Sequence, residues 1–300
     1  MVKKVSVIGS GSVGSTLAFH LLSRLNLREL VLVDINKGLA CGMALDLEDT
    51  RGFLKFSTKI KGTNNLSQIK DSDVIVITAG IPRKKGMTRA DLLKINGKIA
   101  SDIAKKIKKL SPNAIVIAVS NPLDIITHIL TKELKFKRGR VMGMGSSLDT
   151  SRLYNILFKK SGVSAESIDA CVFGAHSKDM IVSPDRFTIK GQNLKKFIKE
   201  VKDIVSGVQF RGAEIVSHLK TRSAYFAPSL ACCCLIEAIA NDSNEIIPVS
   251  VLLKGEYGLN EVCTGVPCLI NRKGVDKIIE VELTASEKKE FKKIKDVFKG

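Results

Sequence analysis

Gly9, Gly11 and Gly14 stand as GSGSVG between an apolar strand pattern, KVSVI, and a helical run, TLAFHLLSRL. Few folds accommodate that order of strand, glycine turn and helix. Gly9 permits a tight turn, Gly11 lets the backbone approach a diphosphate, and Gly14 lets helix and strand pack closely. A helix that begins there offers unpaired backbone N–H groups and a partial positive charge. Asp34 ends the next strand pattern, LVLVD, 20 residues after Gly14. A carboxylate at that place accepts both ribose hydroxyls of NAD and repels a 2′-phosphate, which favours NAD over NADP. The competing reading is a purely structural glycine turn with a surface Asp.

The surrounding rhythm supports a nucleotide-binding half. Strand patterns recur at KVSVIG, LVLVD, KIKGT, DVIVITAG, AIVIAVSNP and RVMGMG, with amphipathic segments between them. The clearest of these, ADLLKINGKIASDIAKKIKKL, has apolar residues at helical spacing and lysines on its other face, and Ser111 and Pro112 stop it. Strands alternating with helices predict βαβ units and a parallel sheet. After Met142 the pattern changes to a helix (LDTSRLYNILFKKSG), strands around ACVFGAH, a long helical region from about Asn193 to Lys220, and a mixed C-terminal part. The expected fold is α/β: a Rossmann-type doubly wound parallel sheet over residues 1–142, followed by an α+β substrate or catalytic domain over residues 143–300.

No apolar run reaches the roughly eighteen residues that a membrane span needs. The N-terminus, MVKKVSVIG, enters a strand pattern without an apolar targeting core, so a cytoplasmic location is expected. None of the seven cysteines forms CxxC or lies at metal spacing from a His. Three are consecutive in the apolar helical stretch SLACCCLIEAIA, which fits small buried hydrophobes in a reducing compartment, with no disulfide and no metal. The net charge of +18 is uneven: residues 1–142 hold 25 basic and 11 acidic residues, residues 143–300 hold 23 and 19. Runs such as KKIKK and KFKRGR lack the interleaved aromatics of a single-strand binder, so solvated helix faces explain them better than nucleic acid.

The chain has four histidines. His20, His128 and His218 fall in helical patterns, where a satisfied or solvent-facing ring is expected. His176, in FGAHSKD, follows an apolar strand and is flanked by small residues. An imidazole there suits proton exchange between an alcohol and a ketone, because its ordinary pKa lies near neutrality. Asp149, in SSLDTSR, opens a helix and shares a face with Arg152 three residues on. Such an Asp can orient the imidazole while the Arg grips a substrate carboxylate with two bonds. Taken alone, LDTSR also fits a capping Asp and a surface salt bridge.

GSGSVG, Asp34, ITAGIPRKKGMTR, VSNPLD, LDTSR, GAHSKDM, TRSAYFAP and GEYG follow one another along almost the whole chain. In that order and spacing they resemble the NAD-dependent malate dehydrogenases of the lactate dehydrogenase-like group. The resemblance implies reversible oxidation of malate to oxaloacetate with NAD, a small dicarboxylate substrate, and a homotetramer or homodimer; the spacing and charge patterns above add the expectation of no metal and no specific nucleic-acid or membrane partner. It makes His176 the proton donor and acceptor, Asp149 its orienting partner, Arg152 the clamp on the C1 carboxylate and Arg89 the group that polarises the reacting carbonyl. Asn121 would orient cofactor and substrate, and Ser223 would line the substrate pocket. Cofactor contacts are implied for Ser12, Val13, Ala79, Gly80, Asn96, Val119 and Asn121, beside Gly9, Gly11, Gly14 and Asp34.

Arg83 is the implied discriminator. Malate dehydrogenases carry Arg at this loop position and lactate dehydrogenases carry Gln, and a guanidinium pairs with the second carboxylate of oxaloacetate. Lys84 and Lys85 would stay in solvent. Three residues depart from the family pattern: Ser177 and Lys178 after His176, and Arg222 before Ser223. The alternatives are lactate or another 2-hydroxy acid as substrate, and a polyanion-binding role for the basic first half.

Overall fold

A computed structural model describes residues 2–82, 87–198 and 202–298. The first half alternates β1 (Lys4–Ile8), α1 (Ser12–Arg24), β2 (Glu29–Val33), α2 (Lys37–Asp49), a short α3 (Arg51–Leu54), β3 (Lys59–Thr63), β4 (Val74–Ile77), α4 (Arg89–Leu110), β5 (Ile115–Ala118), α5 (Leu123–Leu134) and β6 (Val141–Gly143). These strands are parallel and lie in the order β3-β2-β1-β4-β5-β6. Every residue of β1, β4 and β5 is buried, because helices cover both faces of the sheet. That is why these strands read as continuous apolar runs without alternation. The order reverses between β1 and β4, and the crevice at their carboxyl ends is where such sheets bind ligands.

Local chemistry sets the helix ends. Thr88 caps α4 by accepting the Asp91 N–H, while the Asp91 carboxylate accepts the Thr88 N–H, a reciprocal box that starts the helix at Arg89. Ser111 ends it. Asn36 caps α2 in a simpler way, its side chain accepting the Leu39 N–H.

The second half contains α6 (Gly145–Ser161), β7 (Ile168–Asp169), β8 (Val172–Gly174), β9 (Met180–Val182), β10 (Thr188–Ile189), β11 (Gln192–Asn193), α7 (Lys202–Leu219), α8 (Phe226–Asn241), β12 (Glu245–Lys254), β13 (Asn260–Asn271), β14 (Gly274–Ile278) and α9 (Ala285–Lys293). It is built onto the edge of the parallel sheet. Gly143 of β6 pairs antiparallel with Ser250 of β12, β12 pairs with β13 along its length, and Gly265 of β13 pairs with Gly174 of β8. Among the described residues, eleven strands form one continuous sheet, and β7, β10 and β11 form a small second one. The fold is thus the expected Rossmann sheet followed by an α+β half.

Two details differ from the sequence reading. The helical region expected from Asn193 starts instead with a strand and a 3₁₀ turn, and among the described residues α7 covers Lys202–Leu219. The Leu194 N–H donates to the Phe187 carbonyl, which draws this stretch into a hairpin and buries Leu194 and Ile198. The cysteine triplet is also split: Cys232 and Cys233 are buried and Cys234 is exposed. A helix turns about 100° per residue, so three successive side chains cannot all face one core. The seven cysteines are free.

The apolar core has three parts. One packs α1, α2, α8 and the long hairpin against one face of the sheet, a second packs α4 and α5 against the other, and a third fills the space between α6, α7 and β7 to β10.

Candidate active site

The glycine turn is shaped by close contacts on two sides and by open space on a third. Gly9 has φ +109°, and a Cβ there would lie 2.4 Å from Thr78 Oγ1. A Cβ on Gly14 would lie 1.9 Å from the Gly9 carbonyl oxygen and 3.1 Å from Val7 Cγ1, so any larger residue forces α1 off the sheet. A Cβ on Gly11 would meet nothing within 4 Å. Gly11 caps α1 without a side-chain hydrogen bond, and the first turn, Ser12 and Val13 included, contains no acidic residue. The helix N-terminus therefore offers its N–H groups to an open cradle, which suits a diphosphate.

Asp34 closes the other side of this cradle. Its Oδ2 accepts the Ser10 N–H at 2.7 Å and its Oδ1 accepts the Asn36 N–H at 2.9 Å. Each oxygen keeps a lone pair for a further donor.

Asn96 of α4 braces the loops that follow β4 and β5. It is buried, its Oδ1 accepts the Ile81 N–H at 2.9 Å, and its Nδ2 donates to the Asn121 carbonyl at 2.8 Å. Gly80 is exposed and Ala79 half-buried at the end of β4; Val119 is buried and Asn121 exposed at the end of β5. These residues line the carboxyl edge of the sheet.

The acid–base cluster lies beyond that edge. β8 and Ala175 lead to His176, whose Nδ1–H donates to Asp149 Oδ2 at 2.6 Å. Arg152 Nη1 donates to Asp149 Oδ1 at 2.9 Å. One carboxylate on α6 thus holds both partners, and it is itself buried. Burial works against a charged imidazole at His176, but the Asp149 carboxylate outweighs it, and the His176 pKa is raised above its ordinary value. With Nδ1 engaged, Nε2 is the nitrogen left for substrate. Arg152 Nε is buried without a hydrogen-bond partner among the described residues. A Cβ on Gly212 of α7 would stand 3.4 Å from Arg152 Nη2, so a small residue there leaves the guanidinium its space.

Two participants escape the sequence reading. Asp124, near the start of α5, accepts the His176 backbone N–H at Oδ2 (2.7 Å) and the Ser250 hydroxyl at Oδ1 (2.6 Å). Gly145 opens α6 directly against the imidazole, where a Cβ would lie 2.7 Å from His176 Cγ. They stand in VSNPLD and RVMGMG, but nothing in either pattern marks them as neighbours of His176.

A model of the lactate/malate dehydrogenase NAD-binding domain matches residues 3–143, and a model of the lactate/malate dehydrogenase alpha/beta C-terminal domain matches residues 146–300. The chain belongs to the lactate/malate dehydrogenase family. A malate dehydrogenase of Roseiflexus sp. (strain RS-1) is 43% identical over 289 residues, which covers 96% of this chain and 93% of the relative. The malate dehydrogenase structure from Cryptosporidium parvum superposes with a TM-score of 0.94 at 36% identity, covering 99% of this chain and 96% of that one. A lactate dehydrogenase from the same organism, complexed with lactic acid and nicotinamide adenine dinucleotide, superposes with a TM-score of 0.93 at 33% identity, covering 99% and 96%.

Within this lactate/malate dehydrogenase scaffold the remaining predicted residues are placed as follows. Arg83, Lys84 and Lys85 lie outside the described residues, as does the side chain of Arg89, whose backbone opens α4. Ser177 is half-buried and forms a turn, its Oγ accepting the Asp179 N–H at 3.1 Å, and Lys178 is exposed. Arg222 and Ser223 are exposed before α8, and no hydrogen bond among the described residues joins Ser223 to the His176 cluster. His218 is exposed and His20 half-buried. His128 is half-buried: its Nδ1 is buried without a hydrogen-bond partner among the described residues, and its ring centroid lies 5.2 Å from that of Phe298. No group of three or more His, Cys, Asp or Glu among the described residues could hold a metal ion.

Proposed function

We infer that the chain catalyses the reversible NAD-dependent oxidation of (S)-malate to oxaloacetate. One observation carries the chemistry: Asp149 bonds His176 through one oxygen and Arg152 through the other. In the oxidative direction His176 Nε2 takes the C2 hydroxyl proton, and the Asp149 carboxylate stabilises the imidazolium that forms. NAD, when bound, supplies the acceptor for the hydride leaving C2. In reverse, His176 returns its proton to the carbonyl oxygen. Arg152 holds the C1 carboxylate with the donors that Asp149 leaves free.

The open turn at Gly11 and the α1 N-terminus, Ser12 and Val13 included, fit the diphosphate, and the Asp34 oxygens fit the ribose hydroxyls. Asn121 orients the reacting groups, with Ala79, Gly80, Asn96 and Val119 shaping the nicotinamide side and Ser223 the substrate side. Arg89 polarises the carbonyl and Arg83 pairs with the C4 carboxylate; what supports these two roles is the IPRKKGMTR motif, together with relatives named malate dehydrogenase.

The test is NADH oxidation with oxaloacetate, pyruvate and 2-oxoglutarate in parallel, repeated with NADPH. Turnover confined to oxaloacetate with NADH is expected. A preference for pyruvate would move the substrate to lactate while keeping the acid–base machinery. Arg83→Gln should lower the oxaloacetate rate sharply, since unpairing a buried charge costs roughly 2 to 5 kcal/mol. An unchanged rate would rule out the clamp.

The finer features of the expectation are proposed with it. The division of the chain is proposed between residues 142 and 143; what supports a boundary in this region is that one family domain ends at residue 143 and the next begins at residue 146. Phe19 on α1, Leu45 on α2 and Phe53 on α3 are exposed apolar side chains, which support a homodimer or homotetramer readable by light scattering. A cytoplasmic location is consistent with the lack, among the described residues, of a helix long and apolar enough to cross a membrane. The basic first half is a solvated surface, so weak nucleic-acid binding that disappears near physiological salt is the expected result.

A further inference from the structure

Between α7 and α8 runs a short loop, Lys220 to Tyr225, of which the mechanism above uses only Ser223. Its course follows from contacts on either side. α7 lies against α6: a Cβ on Gly207 would stand 3.1 Å from Ile156 Cδ1, and one on Gly212 would stand 3.4 Å from Arg152 Nη2. As α7 advances its partners on α6 move backward, so the two helices run antiparallel. Seven residues past the Gly212 contact, about 10 Å along each helix, α7 ends at Leu219 and α6 begins at Gly145. Gly145 abuts the His176 ring. Beyond the loop, the Ser229 hydroxyl in the first turn of α8 bonds the Val13 carbonyl in the first turn of α1. The loop therefore passes from the acid–base cluster to the open glycine turn.

Lys220 stops α7 and reverses the chain: its φ is +60°, and the Thr221 N–H donates to the Leu219 carbonyl at 2.6 Å. Arg222 and Ser223 follow, both exposed. Little offsets the charge of Arg222. No acidic residue stands between Glu214 and Glu237, and these two are already engaged by Arg211 and Arg24. Arg222 itself makes no hydrogen bond or ion pair among the described residues. Lys178, another cation that departs from the family pattern, differs because Asp179 follows it directly. An unengaged guanidinium beside a substrate-side serine adds a positive field where an anion has to enter.

We propose that Arg222 is a specificity-determining residue at the entrance to the site: its charge draws in dianionic 2-oxo acids over monoanionic ones without touching the reacting atoms. The inference rests on the reading above in which Arg152 and Ser223 face the substrate. A dianion feels an added charge twice as strongly as a monoanion, and salt screens both.

Steady-state kinetics at two ionic strengths test it. In Arg222→Gln, kcat/KM for oxaloacetate should fall roughly threefold at about 10 mM ionic strength and hardly at all near about 0.5 M. The loss should lie in KM, with kcat unchanged. Arg222→Lys, which keeps the charge, should behave as the wild type. Calorimetry on the NADH complex gives an arm that needs no turnover: Arg222→Gln should weaken oxalate more than oxamate, a monoanion of the same shape. A loss independent of salt, a Lys variant as impaired as the Gln variant, or equal weakening of oxalate and oxamate would overturn the proposal. So would a loss confined to NADH affinity, which would place the charge on the cofactor. A wild type without oxaloacetate turnover would overturn the malate reading, and the oxalate and oxamate comparison would still decide the role of Arg222.

Discussion

The hydroxyl of Ser229 donates to the carbonyl oxygen of Val13 over 2.7 Å, joining residues 216 apart and tying α8 to the first turn of α1. The helix proposed to receive the diphosphate is therefore steadied from the second half of the chain. The same hydroxyl reaches the Tyr225 carbonyl at 2.5 Å, so it bonds whether or not α1 is in place. Ser229→Ala should raise the dissociation constant for NADH several-fold and lower stability by about 1 kcal/mol. Fluorescence titration and thermal melting measure the two effects, and an unchanged NADH affinity would show that α1 needs no such support.

Gly145→Ala should disable the chemistry more than the fold. The added methyl would lie 2.7 Å from His176 Cγ and 2.9 Å from Leu123 Cδ2, and the ring must turn away from Asp149 to admit it. Overpacking of this kind costs about 1 to 3 kcal/mol of stability. The loss in kcat should be near 100-fold, as for a misplacement of about 1 Å. A folded variant with full activity would contradict the tight fit of α6 against the imidazole.

The raised His176 pKa sets the direction of the pH profiles. Reduction of oxaloacetate needs the protonated ring, so it should persist above the ordinary value of 6.5 and fall as pH rises through the folded-state pKa. Oxidation of malate needs the neutral ring and should rise over the same interval. Asp149→Asn should move both limbs downward, because the largest charge favouring the imidazolium is gone. Paired kcat/KM profiles in the two directions give the answer.

Glu287 should make the protein acid-sensitive. Burial pushes its pKa up, but Arg186, the Ser183 hydroxyl and the Thr284 N–H outweigh that and hold it at about 2. A depressed folded-state pKa gives stability that is complete above the ordinary value of 4.5 and is lost as pH falls from there toward about 2. Because Glu287 also caps α9, the first structure to loosen should be the C-terminal helix. Melting temperature followed downward from neutral pH should drop less steeply in Glu287→Gln than in the wild type.

The parts of the fold that could be read beforehand were those whose local pattern and burial agree. β1, β4 and β5 are buried on both faces and appear as β-branched runs bounded by Gly, Ser or Asp. β12 and β13 did not announce themselves, because each carries a proline in its middle, which argues against a strand. In the sheet Pro248 lies directly opposite Pro267, so the two missing donors fall at one place and the ladder continues on either side. In the site, Asp149 and Arg152 were legible through their helical spacing and His176 through its position after a strand. Asp124 was not, since its partner is a backbone N–H 52 residues away, and no side-chain pattern encodes that.

The pairing of Gly143 with Ser250 makes the chain hard to divide. A fragment ending at β6 would keep the whole cofactor cradle and yet expose a bare strand edge, an invitation to self-association where the long hairpin should dock. Recombining this first half with a foreign partner would also need that partner to supply a serine at one place in its strand. Ser250 closes the sheet through its backbone and supports Asp124 through its hydroxyl, so inheritance of the scaffold and inheritance of the proton relay pass through a single residue.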